Sequence, residues 1–132
     1  MIRFLARRCT ADRPWPACTI CHAIGGAGGK VGPDFTSIGA SAQPDYLIES
    51  ILYPNRKIKE GYHSVVVETK DDRSLVGVQV SETGSEIVLR NAADKLLSIP
   101  RNQVKRKING RSLMPPALIL SLTEQELSLI HI

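Results

Sequence analysis

The sequence predicts a mainly helical domain interrupted by a small antiparallel β-meander, α+β overall, and three observations predict it. Apolar residues recur at helical spacing over 44–53, as Leu47, Ile48, Ile51 and Leu52. From Tyr62 the apolar period becomes two and holds, with turn residues between segments, to about Ile108. Near the end, Thr123-Glu-Gln-Glu126 places a cap residue three positions before a glutamate, the pattern that opens a helix.

Taken in order, residues 1–17 are expected to start helical at Ile2–Arg8, and Pro14 and Pro16 then break any helix. Residues 23–40 read as loop, because Gly25, Gly26, Gly28, Gly29, Gly32 and Gly39 free the backbone to wrap something closely. Ser41-Ala-Gln-Pro44 reads as a helix start with Pro44 at the first helical position, and Pro54 closes that element. Val65, Val67 and Thr69 then alternate with Val66 and Glu68 before the turn Asp71-Asp72-Arg73. Leu75–Val80 follows, with Val76, Val78 and Val80 on one face. Glu86–Arg90, Leu96–Ile99 and Gln103–Ile108 complete three to five strands, Ser112–Pro116 is a loop, and the capping box opens a last helix.

The 132 residues fit one domain, and 42% hydrophobic with 23% charged residues is an ordinary globular balance. The net charge of +4 is spread along the chain except at Arg101–Lys107. That cluster has no interleaved aromatics, so nucleic acid is not an expected partner. No apolar run approaches the roughly 18 residues of a membrane span, so no transmembrane segment is expected. The first eight residues are too short and too charged for a signal peptide, so any export signal is expected upstream, in a longer parent protein.

Cys18-Thr-Ile-Cys21-His22 is the sharpest chemical signal. Two thiols three residues apart can add to the two vinyl groups of a haem, and the following histidine then lies beneath the iron. Two other chemistries use such a pair. A zinc site needs four ligands, and Cys9, His63 and His131 form no second pair. A thioredoxin-like redox pair opens a helix within a βαβ unit, whereas here a glycine loop follows. Met114, alone apart from the initiator, lies in Ser112-Leu-Met-Pro-Pro116 and is the candidate sixth ligand, since a thioether raises the potential by favouring ferrous iron. His63 is the less favoured candidate for that position. In Val31-Gly-Pro-Asp-Phe35, the carbonyl of Pro33 is the candidate acceptor for the second ring nitrogen of His22.

Cys18-x-x-Cys21-His22, Gly-Pro-Asp-Phe35 and Met114-Pro115 together resemble the class I cytochrome c family. More narrowly, the chain is similar to the haem-binding domain with a β-stranded insertion found in planctomycete and verrucomicrobial proteins. The glycine stretch 25–32, the segment Pro44–Asn55 and Gly61-Tyr62 carry that likeness, over residues 18–127. The resemblance implies a helical cytochrome c-like core, about 1–60 and 109–132, with a β insertion at about 61–108. It also implies one covalent haem c on Cys18 and Cys21, with His22 and Met114 as axial ligands.

The implied role is electron transfer rather than enzymatic turnover, with a redox protein or an adjacent dehydrogenase domain as partner, in the periplasm or another extracytoplasmic space. A haem domain with an open sixth site, and a non-haem module using the Cys pair for zinc, are the alternatives. Both ends depart from the family: residues 1–17 carry Cys9 and two prolines where a helix with a Gly-x-x-x-Phe pattern is expected, and the last helix stops abruptly. A small core with few aromatics is also expected to depend on the cofactor for folding.

Overall fold

Alternating valines with turn residues between them produce the largest element of the chain, a five-stranded antiparallel sheet. The structure, a computed structural model, describes residues 18–125. These divide into two compact units: Ile58–Leu113, and the segments on either side of it.

In Ile58–Leu113 the strands are β3 (Ser64–Thr69), β4 (Ser74–Glu82), β5 (Glu86–Arg90), β6 (Leu96–Pro100) and β7 (Val104–Asn109). The first four form a meander, but β7 returns to pair with β3, giving the order β6-β5-β4-β3-β7. Two of the three hairpins turn where aspartates adopt positive φ, Asp72 at 58° and Asp94 at 60°, a conformation that Asn and Asp tolerate better than other side chains. Asn91 Oδ1 also accepts the backbone N–H groups of Ala93 and Lys95.

The order β6-β5-β4-β3-β7 puts β6 and β7 on opposite edges, yet only the 3-10 turn Arg101–Gln103 joins them. Five flat strands would separate those edges by about 19 Å at the usual strand spacing. A three-residue 3-10 turn advances about 6 Å. The sheet therefore curls until its edges approach. The turn is tied on both sides, by Arg101 N–H to Ser85 O at 2.8 Å and Lys70 N–H to Gln103 O at 2.9 Å.

Inside the curl lie Val65, Val67, Ile87, Leu89 and Ile99, with Leu75, Leu97 and Val104 packed against them. Each fully buried side chain of this size contributes roughly 1.5–3 kcal/mol. On β4 the inward register opposite Val65 is Gly77, where a Cβ would come within 3 Å of Arg90 O. Val76 and Val80 point outward and are exposed, while Val78 is buried opposite Ser64. A bulge between Gln79 and Ser81 shifts the register beyond. Opposite Val67, edge strand β7 presents Lys107, whose Nζ reaches Gln79 Oε1 at 3.0 Å and Glu82 Oε2 at 2.5 Å. A charge at that position discourages pairing with a further strand.

The other unit contains α1 (Cys18–Cys21), the hairpin β1 (Ala23–Ile24) and β2 (Ala27–Gly28), α2 (Ile38–Ser41), α3 (Pro44–Leu52) and a 3-10 helix, Pro116–Ser121. Gly25 and Gly26 both have positive φ, 60° and 85°, as a two-residue turn of the twist-matched type requires. Pro44 starts α3 with Asp45 in its first turn, and α3 packs against the 3-10 helix. Among the described residues of this unit Val31 and Pro54 are buried, and α3 buries none of its residues.

The expected mainly α, cytochrome c-like core with an inserted meander is overturned. Among the described residues the chain is mainly β, a five-stranded and a two-stranded sheet with three short α-helices. The reason lies in helix propagation: a turn becomes stable only when many residues follow it. Here glycines at 25, 26, 28, 29 and 32 and prolines at 33, 44 and 54 interrupt the flanking segments, and the described α-helices are four to nine residues long. Residues 23–28, expected to be loop, form a hairpin. Of the expected last helix only Glu124 and Gln125 fall within the described residues. The expected helix Ile2–Arg8 and Cys9 lie outside them.

Candidate functional site

The site is built around α1, whose single turn sets Cys18 and Cys21 one turn apart and continues into His22 through His22 N–H to Cys18 O at 2.8 Å. So short a helix leaves its carbonyls unpaired, and the glycine loop supplies the donors. Gly29 N–H bonds Thr19 O at 2.9 Å and Gly32 N–H bonds Cys21 O at 2.7 Å. A Cβ on Gly28 would come within 3 Å of His22 O, one on Gly29 within 3 Å of Ile20 O, and one on Gly32 within 3 Å of three atoms of the His22 ring. The loop thus closes upon the Cys-x-x-Cys-His turn itself, and these positions have room only for glycine.

Nδ1 of His22 lies 2.7 Å from Pro33 O. A carbonyl oxygen only accepts, so Nδ1 carries the proton and donates. In the neutral ring the lone pair is then on Nε2, the nitrogen a metal would use. Burial holds the His22 pKa below the ordinary imidazole value, opposed by the bond to Pro33. This favours the neutral ring. Phe35 stacks on the imidazole with centroids 4.0 Å apart and planes 18° apart. Its spacing three residues beyond Gly32 gave no hint of this contact, which belongs to the folded loop.

Among the described residues no disulfide forms, and Cys18 and Cys21 are half-buried thiols. Burial raises the pKa of Cys18; its own backbone hydrogen bond opposes this, and Cys21 beside it adds to the rise. Redox-exchange cysteines need the opposite shift. No three His, Cys, Asp or Glu side chains among the described residues are grouped to hold one ion, so Cys18, Cys21 and His22 do not make a shared metal cage.

Met114 is half-buried and belongs to the unit that carries His22. It stands where the chain returns from Ile58–Leu113, directly before Pro115 and the 3-10 helix. Beside that helix an open depression of about 600 Å³ is lined by Leu52, Tyr53, Pro54, Asn55, Arg56 and Pro116. Ile20, Leu52, Tyr53 and Leu120 of this unit are exposed apolar or aromatic side chains. His63, the less favoured candidate ligand, is exposed in the other unit, just before β3.

The basic cluster at 101–107 is ion-paired. Arg101 and Lys107 meet Glu82, Lys105 meets Asp72 and Arg106 meets Glu68. Among the described residues no helix is long and apolar enough to cross a membrane.

The residues fit a covalent haem in their donor chemistry: two thiols on one turn, a histidine with its Nε2 lone pair set by Pro33, and a glycine under the ring where any side chain would displace it. Compared with known protein families and with curated proteins, the chain matches none.

Proposed function

We propose that the chain is a c-type electron-transfer domain holding one haem through thioether bonds from Cys18 and Cys21, with His22 Nε2 and the Met114 sulfur as axial ligands. This reading stands without a mainly helical core. The observation that carries it is the seating of His22: an imidazole following Cys-x-x-Cys, donating from Nδ1 to Pro33 O at 2.7 Å and resting on Gly32. Such an outer hydrogen bond fixes the ring's orientation and strengthens it as a ligand.

When bound, the haem supplies a one-electron couple. The protein's own residues attach it, orient the imidazole and set the polarity around it. Cys18 and Cys21 would hold the haem as thioethers, each S–H adding across one vinyl double bond so that sulfur and hydrogen end on its two carbons. His22 keeps Nδ1–H on Pro33, so the ring's lone pair stays on Nε2. Met114 adds a soft sulfur that favours the reduced metal. No substrate bond is made or broken, so the domain acts as a carrier. Its partners are a redox protein or a neighbouring dehydrogenase domain, and the extracytoplasmic space, where this cofactor is attached, is its place.

The test is export of the chain with the haem-maturation machinery, followed by a pyridine haemochrome spectrum and denaturing electrophoresis with haem staining. Covalent haem at one per chain supports the reading, and a colourless matured protein sinks it. A weak far-red band in the oxidised protein supports Met114, whereas high-spin spectra with ready carbon monoxide binding favour an open sixth site.

A further inference from the structure

Loop 33–36 makes more contacts than a turn needs to reverse the chain. Phe35 N–H bonds Ala23 O at 2.8 Å. Gly25 N–H bonds Thr36 Oγ1 at 2.8 Å. Thr36 in turn donates its backbone N–H to Asp34 Oδ1 at 2.6 Å and its hydroxyl to the same oxygen. The segment is therefore fastened to the β1–β2 hairpin at Phe35 and at Thr36, and Phe35 stacks on His22 with the rings near parallel. A single hydrogen bond from Nδ1 to Pro33 leaves the imidazole able to roll about the N–H···O axis. A ring stacked at 4.0 Å, fixed by three backbone-linked contacts, opposes that roll.

We propose that Phe35 is a positioning residue for His22: clamped by Ala23 and by the Asp34–Thr36–Gly25 hydrogen bonds, it fixes the plane of the imidazole. This rests on reading His22 as an axial ligand. The plane of an axial imidazole sets how unpaired spin is shared around the ring system of ferric haem, so a change of plane is visible spectroscopically without any loss of ligation. The hairpin β1–β2 and the Asp34–Thr36 clamp then serve the same end, holding a group that never touches the iron.

The experiment uses the exported, matured full chain with Phe35→Leu, Phe35→Tyr and Thr36→Val. Covalent haem is measured first. In the ferric proteins, the hyperfine-shifted haem methyl resonances and the electron-paramagnetic g values are then compared. Phe35→Leu is expected to retain the haem with an altered methyl pattern, and Phe35→Tyr to restore the native one. Thr36→Val is expected to shift the pattern in the same direction by less, and it carries the test if Phe35→Leu fails to fold.

Native patterns in both Phe35→Leu and Thr36→Val overturn the proposal. The haem-free chain separates the two failures. There Phe35→Leu removes the ring-current shift on the His22 Hε1 and Hδ2 signals if the contact exists. A colourless wild-type protein showing that shift sinks the haem reading, and the positioning role with it, while leaving the contact in place. Absence of the shift sinks the contact itself.

Discussion

Gly32 lies against the imidazole of His22 so closely that a Cβ would come within 3 Å of Cε1, Nδ1 and Nε2. The relationship converts a glycine whose role in sequence was only permissive into a steric requirement. Gly32→Ala must displace the ring and with it the bond from Nδ1 to Pro33. The expected outcome is a large fall in covalently attached haem with normal accumulation of the chain, read as the ratio of Soret to protein absorbance. Unchanged haem content would show that the imidazole need not sit there.

Met114→Ala is expected to leave the haem attached and to abolish the weak far-red band. The midpoint potential should fall by roughly 0.1–0.3 V, a fraction of the range over which axial ligands tune haem. Potentiometry of the purified protein checks this, and an unaltered potential removes Met114 from the ligand set.

Cys18→Ala with Cys21→Ala tests how far folding depends on the cofactor. Composition alone leads one to expect little folded protein. The structure narrows that dependence, because Ile58–Leu113 has its own core around Val67, Ile87 and Leu89. The double variant should lose its colour and keep a β-type circular dichroism spectrum with a cooperative melt.

Ile87→Ala or Leu89→Ala addresses that core directly. Both side chains are fully buried, and truncation of such residues costs about 2–5 kcal/mol. Denaturant titration of the haem-free double-cysteine variant, with and without the core change, gives the difference.

Glu82 contributes to the acid side of the stability profile. The hydrogen bond from Lys107, then that from Arg101, lowers its pKa from 4.5 to about 2. A carboxyl group whose pKa is depressed on folding stabilises the fold above its unfolded value, and the contribution is lost as pH falls towards the folded value. Wild-type melting temperature should therefore decline between about pH 4.5 and pH 2 more steeply than that of Glu82→Gln. Thermal melts of the two proteins across that window check it.

The strands were legible in the sequence because period two and turn chemistry are local: all five are present, starting and ending within a few residues of expectation. So was α3, marked by Pro44 and Pro54. The return of β7 to β3 was not, since pairing across the sheet depends on which edges meet and not on any single segment. The helical core was misjudged because a few apolar residues at helical spacing do not ensure propagation between glycines and prolines. The Gly-Gly turn at 25–26 did carry a hairpin signal, obscured by the glycines around it. At the site, His22 and Pro33 could be paired from the Gly-Pro motif and the needs of a ligating imidazole. Phe35 could not, because stacking is decided by how the loop closes on α1.

Where Ile58–Leu113 begins and ends, Gly110 N–H bonds Ser64 O at 2.8 Å and Ser64 Oγ bonds Arg111 O at 2.5 Å. The sheet therefore enters and leaves the backbone at one doorway. For loop-closure entropy, which grows only with the logarithm of the length to be closed, the residues between Ser64 and Gly110 then behave as a brief detour. Once they have folded, the effective separation of Cys18 and Met114 along the chain drops to about 50 residues. Met114, far from Cys18 in sequence, is in this sense separated from it by a much shorter tether.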